Sequence, residues 1–79
     1  MARVVMFGAL ASLAGWRERS IDVEGLDALK RLLAAEDPAL GERLSSAGVF
    51  AVVNQDMVRG DCPLEADDEV AFVPPVSGG

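Results

Sequence analysis

The apolar residues of this chain follow a helical period over one long segment, which runs from Leu26 to about Glu36. The leucines that share one face of this segment are Leu26, Leu29, Leu32 and Leu33. Charged side chains lie mostly on the opposite side, as in an amphipathic helix. One such helix covers one face of a sheet, so a chain of 79 residues must build the rest of its fold from short elements.

Short segments of β-branched and apolar residues surround this helix. In chain order they are RVVMF (3–7), RSIDVE (19–24), VFAVVN (49–54), QDMVRG (55–60, a turn and a short strand) and EVAFVP (69–74). A short helical turn is predicted at 9–14, closed by Gly15. Pro38 either ends the main helix or begins a second short helix over 38–44. This order predicts an α+β fold, with a mixed sheet of four to five strands and the main helix across one face. The right-handed crossover rule makes the first and last strands central neighbours.

The strands at 3–7, 49–53 and 70–73 are apolar on both faces. Strand alternation assigns one set of side chains to the helix side: Val4, Met6, Val70 and Phe72. The set that then faces away is Val5, Phe7, Ala71 and Val73. An apolar face without the main helix over it predicts an interface with another protein. The alternative is that loops, or the helix at 38–44, cover this face.

The residue types that the chain lacks exclude most chemistry by this chain alone. It has no histidine and no tyrosine, and Cys62 is its one cysteine. The commonest general acid–base group is therefore absent. One cysteine forms no internal disulfide and holds no iron–sulfur cluster, which excludes a ferredoxin. These absences argue against an enzyme that acts alone.

The charge of the chain indicates what it binds. Its formal net charge is −6, which disfavours nucleic acid and anionic membranes and favours a partner with a basic docking surface. The sequence contains no apolar run long enough to span a bilayer and no signal peptide. With a single cysteine, these features predict a cytoplasmic protein.

The sequence ends in FVPPVSGG. The Pro-Pro pair at 74–75 fixes an extended path of about 3.1 Å per residue. The Gly-Gly pair at 78–79 has no side chains, so the terminal carboxylate is the functional group at the tip. We therefore predict a folded domain over 1–73 and a flexible tail over 74–79.

Three segments together resemble one family: VVMFGAL, VVNQDMV and above all DEVAFVPPVSGG. They resemble the MoaD family, the small subunits of molybdopterin synthase, which are sulfur carriers with the β-grasp (ubiquitin-like) fold. The resemblance covers the chain from Met1 to Gly79. It departs at Asp67, where the family usually has glycine before Asp68. Because aspartate tolerates the left-handed conformation better than most residues, we expect the fold to be kept with a strained turn at Asp67.

The resemblance implies that this chain carries sulfur and that a partner holds the active site. In the family, a ubiquitin-activating-like enzyme (MoeB-like) adenylates the terminal carboxylate with ATP and magnesium. A sulfur donor, such as a cysteine desulfurase or a rhodanese, then converts it to a thiocarboxylate. The carrier binds no cofactor itself. It forms a heterotetramer with the large subunit (MoaE-like), where the sulfur passes to cyclic pyranopterin monophosphate during molybdenum cofactor biosynthesis.

The family roles transfer to matching positions of this sequence. Gly79 bears the reacting carboxyl group. The residues implied to thread into the partner enzymes are Pro74, Pro75, Val76, Ser77 and Gly78. The apolar residues that match docking positions are Phe7, Met57 and Val73.

No metal site is implied. Asp68 and Glu69 are adjacent and point in different directions, so we expect them to complement a basic partner. Cys62 is expected to be incidental, because it has no basic neighbour in sequence closer than Arg59 to lower its pKa.

Two alternatives remain open. One is a sulfur carrier for thiamin or tRNA thiolation, although thiamin carriers typically lack the Pro-Pro pair. The other is a ubiquitin-like modifier whose Gly79 forms isopeptide bonds with lysines. Both begin with the same acyl-adenylate.

Overall fold

A computed structural model describes residues 1–75. The strands in this part of the chain are β1 (Ala2–Met6), β2 (Glu18–Ile21), β3 (Phe50–Val53), β4 (Asp56–Val58) and β5 (Glu69–Val73). The helices are α1 (Ala9–Ala14), α2 (Leu26–Glu36) and α3 (Pro38–Leu44). The predicted α+β class, the main helix and both short helices are confirmed.

All five strands belong to one sheet, in the order β2-β1-β5-β3-β4. The central pair, β1 and β5, is parallel, and every other neighbouring pair is antiparallel. The first and last strands are therefore central neighbours in a mixed sheet, as the crossover rule predicts. The edge strands β2 and β4 are short and carry charged residues, which limits pairing with other chains.

Helix α2 lies across one face of this sheet and closes the core. Its leucines Leu26, Leu29 and Leu33 are almost completely buried. They belong to one hydrophobic cluster with the inward side chains of β1 and β5, which are Val4, Met6, Val70 and Phe72. Burial of each such side chain stabilises the fold by about 1.5–3 kcal/mol. The predicted assignment of these four residues to the helix side is confirmed.

The second strand is shorter than the sequence predicts. The alternation of RSIDVE predicts a strand over 19–24, whereas β2 ends at Ile21. Beyond it the chain turns towards the loop that precedes β5. The carbonyl oxygen of Glu24 accepts a hydrogen bond from the Leu64 N–H at 2.9 Å, and Gly25 forms an isolated bridge with Pro63. Pairing with this distant loop overrides the local alternation.

Helices α2 and α3 meet at a tight corner. Asp37 ends α2 and caps α3, because its Oδ1 accepts a hydrogen bond from the Leu40 N–H at 3.2 Å. Pro38 occupies the first turn of α3, where its missing N–H is not needed. One turn later, buried Gly41 lies against Ala34 of α2, and a Cβ on Gly41 would be 2.6 Å from the Ala34 Cα. The two helices approach this closely because residue 41 has no side chain.

We therefore expect Gly41→Ala to destabilise the fold. The added methyl group overlaps helix backbone, which costs about 3 kcal/mol, and the gain in helix propensity offsets about 1 kcal/mol. The net loss is about 2 kcal/mol. Thermal denaturation should show a melting temperature lower by about 10 °C. The matched control is Ala34→Gly with Gly41→Ala, which removes the Ala34 Cβ but not its Cα and should therefore recover only part of the loss. An unchanged melting temperature in Gly41→Ala would contradict the close approach.

The hairpin between β3 and β4 has a two-residue turn. Asn54 and Gln55 have φ of 51° and 72°, the left-handed pair that a type I′ hairpin requires. Among residues 1–75, these are the non-glycine residues with positive φ. The expected left-handed conformation and strain at Asp67 are therefore wrong. An aspartate is accommodated there because the turn before β5 keeps φ negative at this position.

Candidate functional site: outer sheet face and C-terminal segment

The sheet face opposite α2, here called the outer face, carries an apolar row across four strands. The strand registers place these side chains in line on β1, β5, β3 and β4: Val5, Ala71, Val52 and Met57. Ala71 at the centre is buried among its neighbours, whereas Met57 at the edge is 56% exposed. Side chains alternate between the two faces along each strand, and the strand registers pair residues that point to the same face. The row therefore continues from strand to strand.

A second apolar row lies nearer the end of β5. Val73 is paired with Phe50 of β3. On the other side of β5, the Phe7 N–H donates a hydrogen bond to the Phe72 carbonyl oxygen at 3.2 Å, which places Phe7 beside the end of β5. Phe7 and Phe50 are 48% and 40% exposed, which is unusual for phenylalanine. Phe50 is absent from the predicted interface residues. The alternation of side chains along VFAVVN nevertheless places Phe50 and Ala51 on different faces of the sheet, with Phe50 on the outer face.

The other end of the outer face is polar. Arg3 forms an ion pair with Glu18 at 2.6 Å and a longer one with Glu69 at 3.5 Å. These pairs are exposed, so each contributes little to stability. They leave the outer face apolar at the end where β5 leads into the C-terminal segment and charged at the opposite end.

Helix α3 does not cover the outer face. It packs against α1 and α2, and its Leu40 and Leu44 belong to the same core cluster as α2. The alternative that this helix shields the outer face is therefore wrong. Exposed Phe7, Phe50 and Met57 form a candidate docking surface. The predicted docking role of Phe7, Met57 and Val73 stays a prediction.

The C-terminal segment leaves the sheet between two glycine loops. Pro74 lies beside Gly8 and Pro75 beside Gly48, at the ends of the strands that flank β5. Pro74 is half-buried as a result. The other residues predicted to thread into the partner enzymes, and the reacting residue, lie outside the described residues: Val76, Ser77, Gly78 and Gly79.

Asp68 holds the β3–β4 turn in place. Its Oδ1 accepts a hydrogen bond from the Asn54 side-chain amide at 2.9 Å, and its Oδ2 accepts one from the Glu65 N–H at 2.8 Å. Chiefly the Glu65 hydrogen bond, and then that of Asn54, lower the pKa of Asp68. These hydrogen bonds contribute to the free energy of unfolding at neutral pH, and that contribution is lost as the pH falls through the lowered pKa of Asp68.

This internal role differs from the predicted complement to a basic partner. The Asp68 carboxylate is occupied within the domain, and Glu69 extends towards Arg3. No cluster of three or more metal-ligating side chains occurs among residues 1–75. The hydrogen bond from Asn54 to Asp68 depends on the pairing of β3 with β5. No local pattern around residues 67–69 reveals that pairing.

Cys62 lies half-buried in the loop before β5. Burial, and after it the negative charges of Asp61, Asp68 and Asp27, raise the pKa of its thiol. The raised pKa keeps the thiol protonated at neutral pH, and a protonated thiol is a poor nucleophile. The environment is consistent with the predicted incidental role.

No helix in residues 1–75 is long and apolar enough to cross a bilayer.

Comparison with known proteins identifies the family. The ThiS family matches residues 4–79. The chain belongs to the ThiS family. Across 81 aligned residues that span both proteins completely, it is 37% identical to the molybdopterin synthase sulfur carrier subunit of Escherichia coli K12.

Solved structures agree with this assignment. The crystal structure of SAMP1 from Haloferax volcanii has a TM-score of 0.85 at 28% identity, covering 99% of this chain and 98% of that one. The solution structure of small archaeal modifier protein 1 from Methanosarcina acetivorans has a TM-score of 0.81 at 26% identity, covering 99% and 95%. The predicted ubiquitin-like β-grasp fold is confirmed.

Proposed function

We propose that this ThiS-family chain is the sulfur carrier subunit of a molybdopterin synthase. The observation that carries the proposal is its 37% identity, over the full length of both chains, to the E. coli protein of that name. The structure adds a physical reason. Central strand β5 leads directly from the apolar end of the outer face into residues 74–75, so the docking surface and the base of the C-terminal segment lie at the same end of the domain.

The carrier must first be activated, because a carboxylate is a poor electrophile. We infer that an oxygen of the Gly79 carboxylate attacks the α-phosphorus of ATP and releases pyrophosphate, in an adenylating enzyme related to those that activate ubiquitin. The outer sulfur of a persulfide donor then attacks the acyl carbon and displaces AMP. A thiol cleaves the resulting acyl disulfide, which leaves the thiocarboxylate on the carrier and a disulfide between the thiol and the donor. ATP and magnesium belong to the activating enzyme in this scheme, and the carrier binds neither.

The thiocarboxylate is a soft anionic nucleophile at neutral pH. In the large subunit it would attack the pterin precursor, cyclic pyranopterin monophosphate, and two rounds would build the dithiolene. This division suits a chain without histidine, because the acid–base groups are then supplied by the partner. We propose a cytoplasmic location, where ATP is available for the activation.

The partner surface is inferred from charge and apolar area together. Phe7, Phe50 and Met57 would fill apolar pockets at the centre of the contact with the large subunit. The net charge of −6 favours a basic rim on each partner and speeds their encounter. We infer a heterotetramer of two carriers and two large subunits.

Reconstitution tests the proposal. The carrier is loaded with its adenylating enzyme, ATP, magnesium and a persulfide donor, and is then mixed with the large subunit and cyclic pyranopterin monophosphate. Formation of molybdopterin supports the proposal. Loading without molybdopterin formation, combined with sulfur transfer to a thiamin thiazole precursor or to tRNA, would instead assign the chain to one of those pathways.

A ubiquitin-like modifier role is the second candidate. The similarity to two solved proteins named SAMP1, one of them described as a small archaeal modifier protein, favours it. Both roles begin with the same acyl-adenylate and differ in the attacking group, a sulfur donor or a lysine amine. Isopeptide-linked Gly79 in tryptic peptides from the native cells would establish the modifier role.

Gly78 is predicted to matter for shape rather than chemistry. Gly78→Ala adds a methyl group, and Gly78→Val adds a stiffer β-branch, where the resemblance implies narrow channels in two enzymes. We expect unchanged melting temperatures and a graded loss of adenylation and sulfur transfer, milder for alanine. ATP–pyrophosphate exchange and a sulfur-transfer assay measure the two steps. Wild-type rates in the valine variant would show that threading does not depend on this glycine.

A further inference from the structure

Two glycines contact the proline pair at the point where the chain leaves the sheet. A Cβ placed on Gly8 would lie 3.3 Å from the Pro74 Cγ, and one on Gly48 would lie 2.9 Å from the Pro75 Cβ. Both glycines have positive φ, 55° and 92°. A side chain at residue 48 would therefore be strained and would also displace Pro75.

The topology explains why these two loops meet the prolines. Strand β5 lies between β1 and β3. Gly8 follows the end of β1, which is parallel to β5, and Gly48 precedes the start of β3, which is antiparallel to β5. Both glycines therefore lie at the end of the sheet where β5 terminates. The prolines thus emerge with one glycine loop on each side.

We propose that Gly8 and Gly48 are positioning residues that set the direction in which the C-terminal segment leaves the domain. The proposal rests on the proposed sulfur carrier function. Proline has a fixed φ, so contacts at the base of the proline pair limit the directions in which residues 74–75 leave the sheet. An oriented segment enters the activating enzyme more often than one pointing elsewhere.

The backbone conformation alone is the competing explanation for these glycines. Gly60 distinguishes backbone strain from contact with a proline. Its φ of 81° is similar to that of Gly48, but a Cβ added to it would meet nothing within 4 Å beyond its chain neighbours. Gly60→Ala therefore imposes the left-handed strain without touching a proline. Gly48→Ala imposes a similar strain and also pushes on Pro75.

The test is ATP–pyrophosphate exchange with the cognate adenylating enzyme, measured against carrier concentration. Gly48→Ala should raise the KM for the carrier about tenfold, because only a fraction of the molecules then present the segment correctly. Its kcat should stay near wild type, since a segment that has entered reacts normally. Gly60→Ala should keep the wild-type KM.

A double-mutant cycle tests whether the effect passes through the proline. Pro75→Gly removes the ring and the Cβ that a new side chain at residue 48 would strike. Gly48→Ala should then raise the KM in the Pro75 background and raise it no further in the Pro75→Gly background. An equal increase in both backgrounds would overturn the proposal, and so would the absence of an increase in either.

The folded fraction of each variant is checked by circular dichroism before the kinetics. If Gly48→Ala does not fold, Gly48→Asn carries the same Cβ with less left-handed strain, and the same cycle applies. An increase in KM for Gly60→Ala equal to that for Gly48→Ala would also overturn the proposal. Failure of the proposed function is distinct, because the wild-type carrier would then form no molybdopterin in the reconstitution, whatever KM the Gly48→Ala variant shows in the exchange assay.

Discussion

Deletion of Gly79 is expected to abolish ATP-dependent sulfur loading while the melting temperature of the domain stays unchanged. The expected loss is complete, because the shortened chain ends in the carboxylate of Gly78, one residue or about 3.5 Å of extended chain short of the position that adenylation requires. The buried core, which includes Phe72, lies within the described residues, so the deletion removes no core residue. Addition of one residue after Gly79 should have the same effect, since it moves the carboxylate beyond the adenylation site.

Loading is measured with the adenylating enzyme, ATP and a sulfur donor, and stability is measured by thermal denaturation. Cys62→Ser is the control, because its protonated, half-buried thiol should contribute nothing. Sulfur loading in the Gly79 deletion variant would falsify the assignment of the reacting group. Loss of loading in Cys62→Ser would assign part of the chemistry to the thiol.

Two phenylalanines are expected to respond in opposite ways to alanine substitution. Phe72 is completely buried under α2, so Phe72→Ala should lower the free energy of unfolding by about 3–5 kcal/mol. Phe7 is 48% exposed on the outer face, so Phe7→Ala should change stability much less. At a central contact with the large subunit, Phe7→Ala should weaken binding by roughly 2 kcal/mol or more.

Denaturant midpoints and the dissociation constant for the large subunit distinguish the two residues. Phe50→Ala should behave like Phe7→Ala, because Phe50 lies in the same exposed row. Arg31→Ala is the control for an exposed side chain of α2, which covers the opposite face of the sheet, and it should leave binding nearly unchanged. Wild-type affinity in both Phe7→Ala and Phe50→Ala would remove the outer face from the interface with the large subunit.

The main elements were predictable because they depend on local periodicity. The leucine spacing of Leu26–Glu36 identifies α2, and Pro38 marks the start of α3. The adjacency of β1 and β5 follows from a general rule of chain handedness. The assignment of Phe72 inward and Val73 outward needs only the alternation of a strand.

Contacts between distant segments were not predictable from local patterns. The end of β2 at Ile21 depends on hydrogen bonds to the loop around Leu64. Asp68 reaches Asn54 across a strand pairing whose register no single segment specifies. The contact of Pro75 with Gly48 likewise requires the strand order, so the sequence shows a stiff spacer without showing what holds its base.

The most direct test of the sulfur carrier function is the intact mass of the protein after incubation with its adenylating enzyme, ATP, magnesium and a sulfur donor. The proposal predicts a gain equal to the mass difference between one sulfur and one oxygen atom, located at Gly79 by fragmentation and resistant to thiol reductants. No gain would contradict it. A gain of a whole sulfur atom that a reductant removes would contradict it equally, because that result places a persulfide on Cys62.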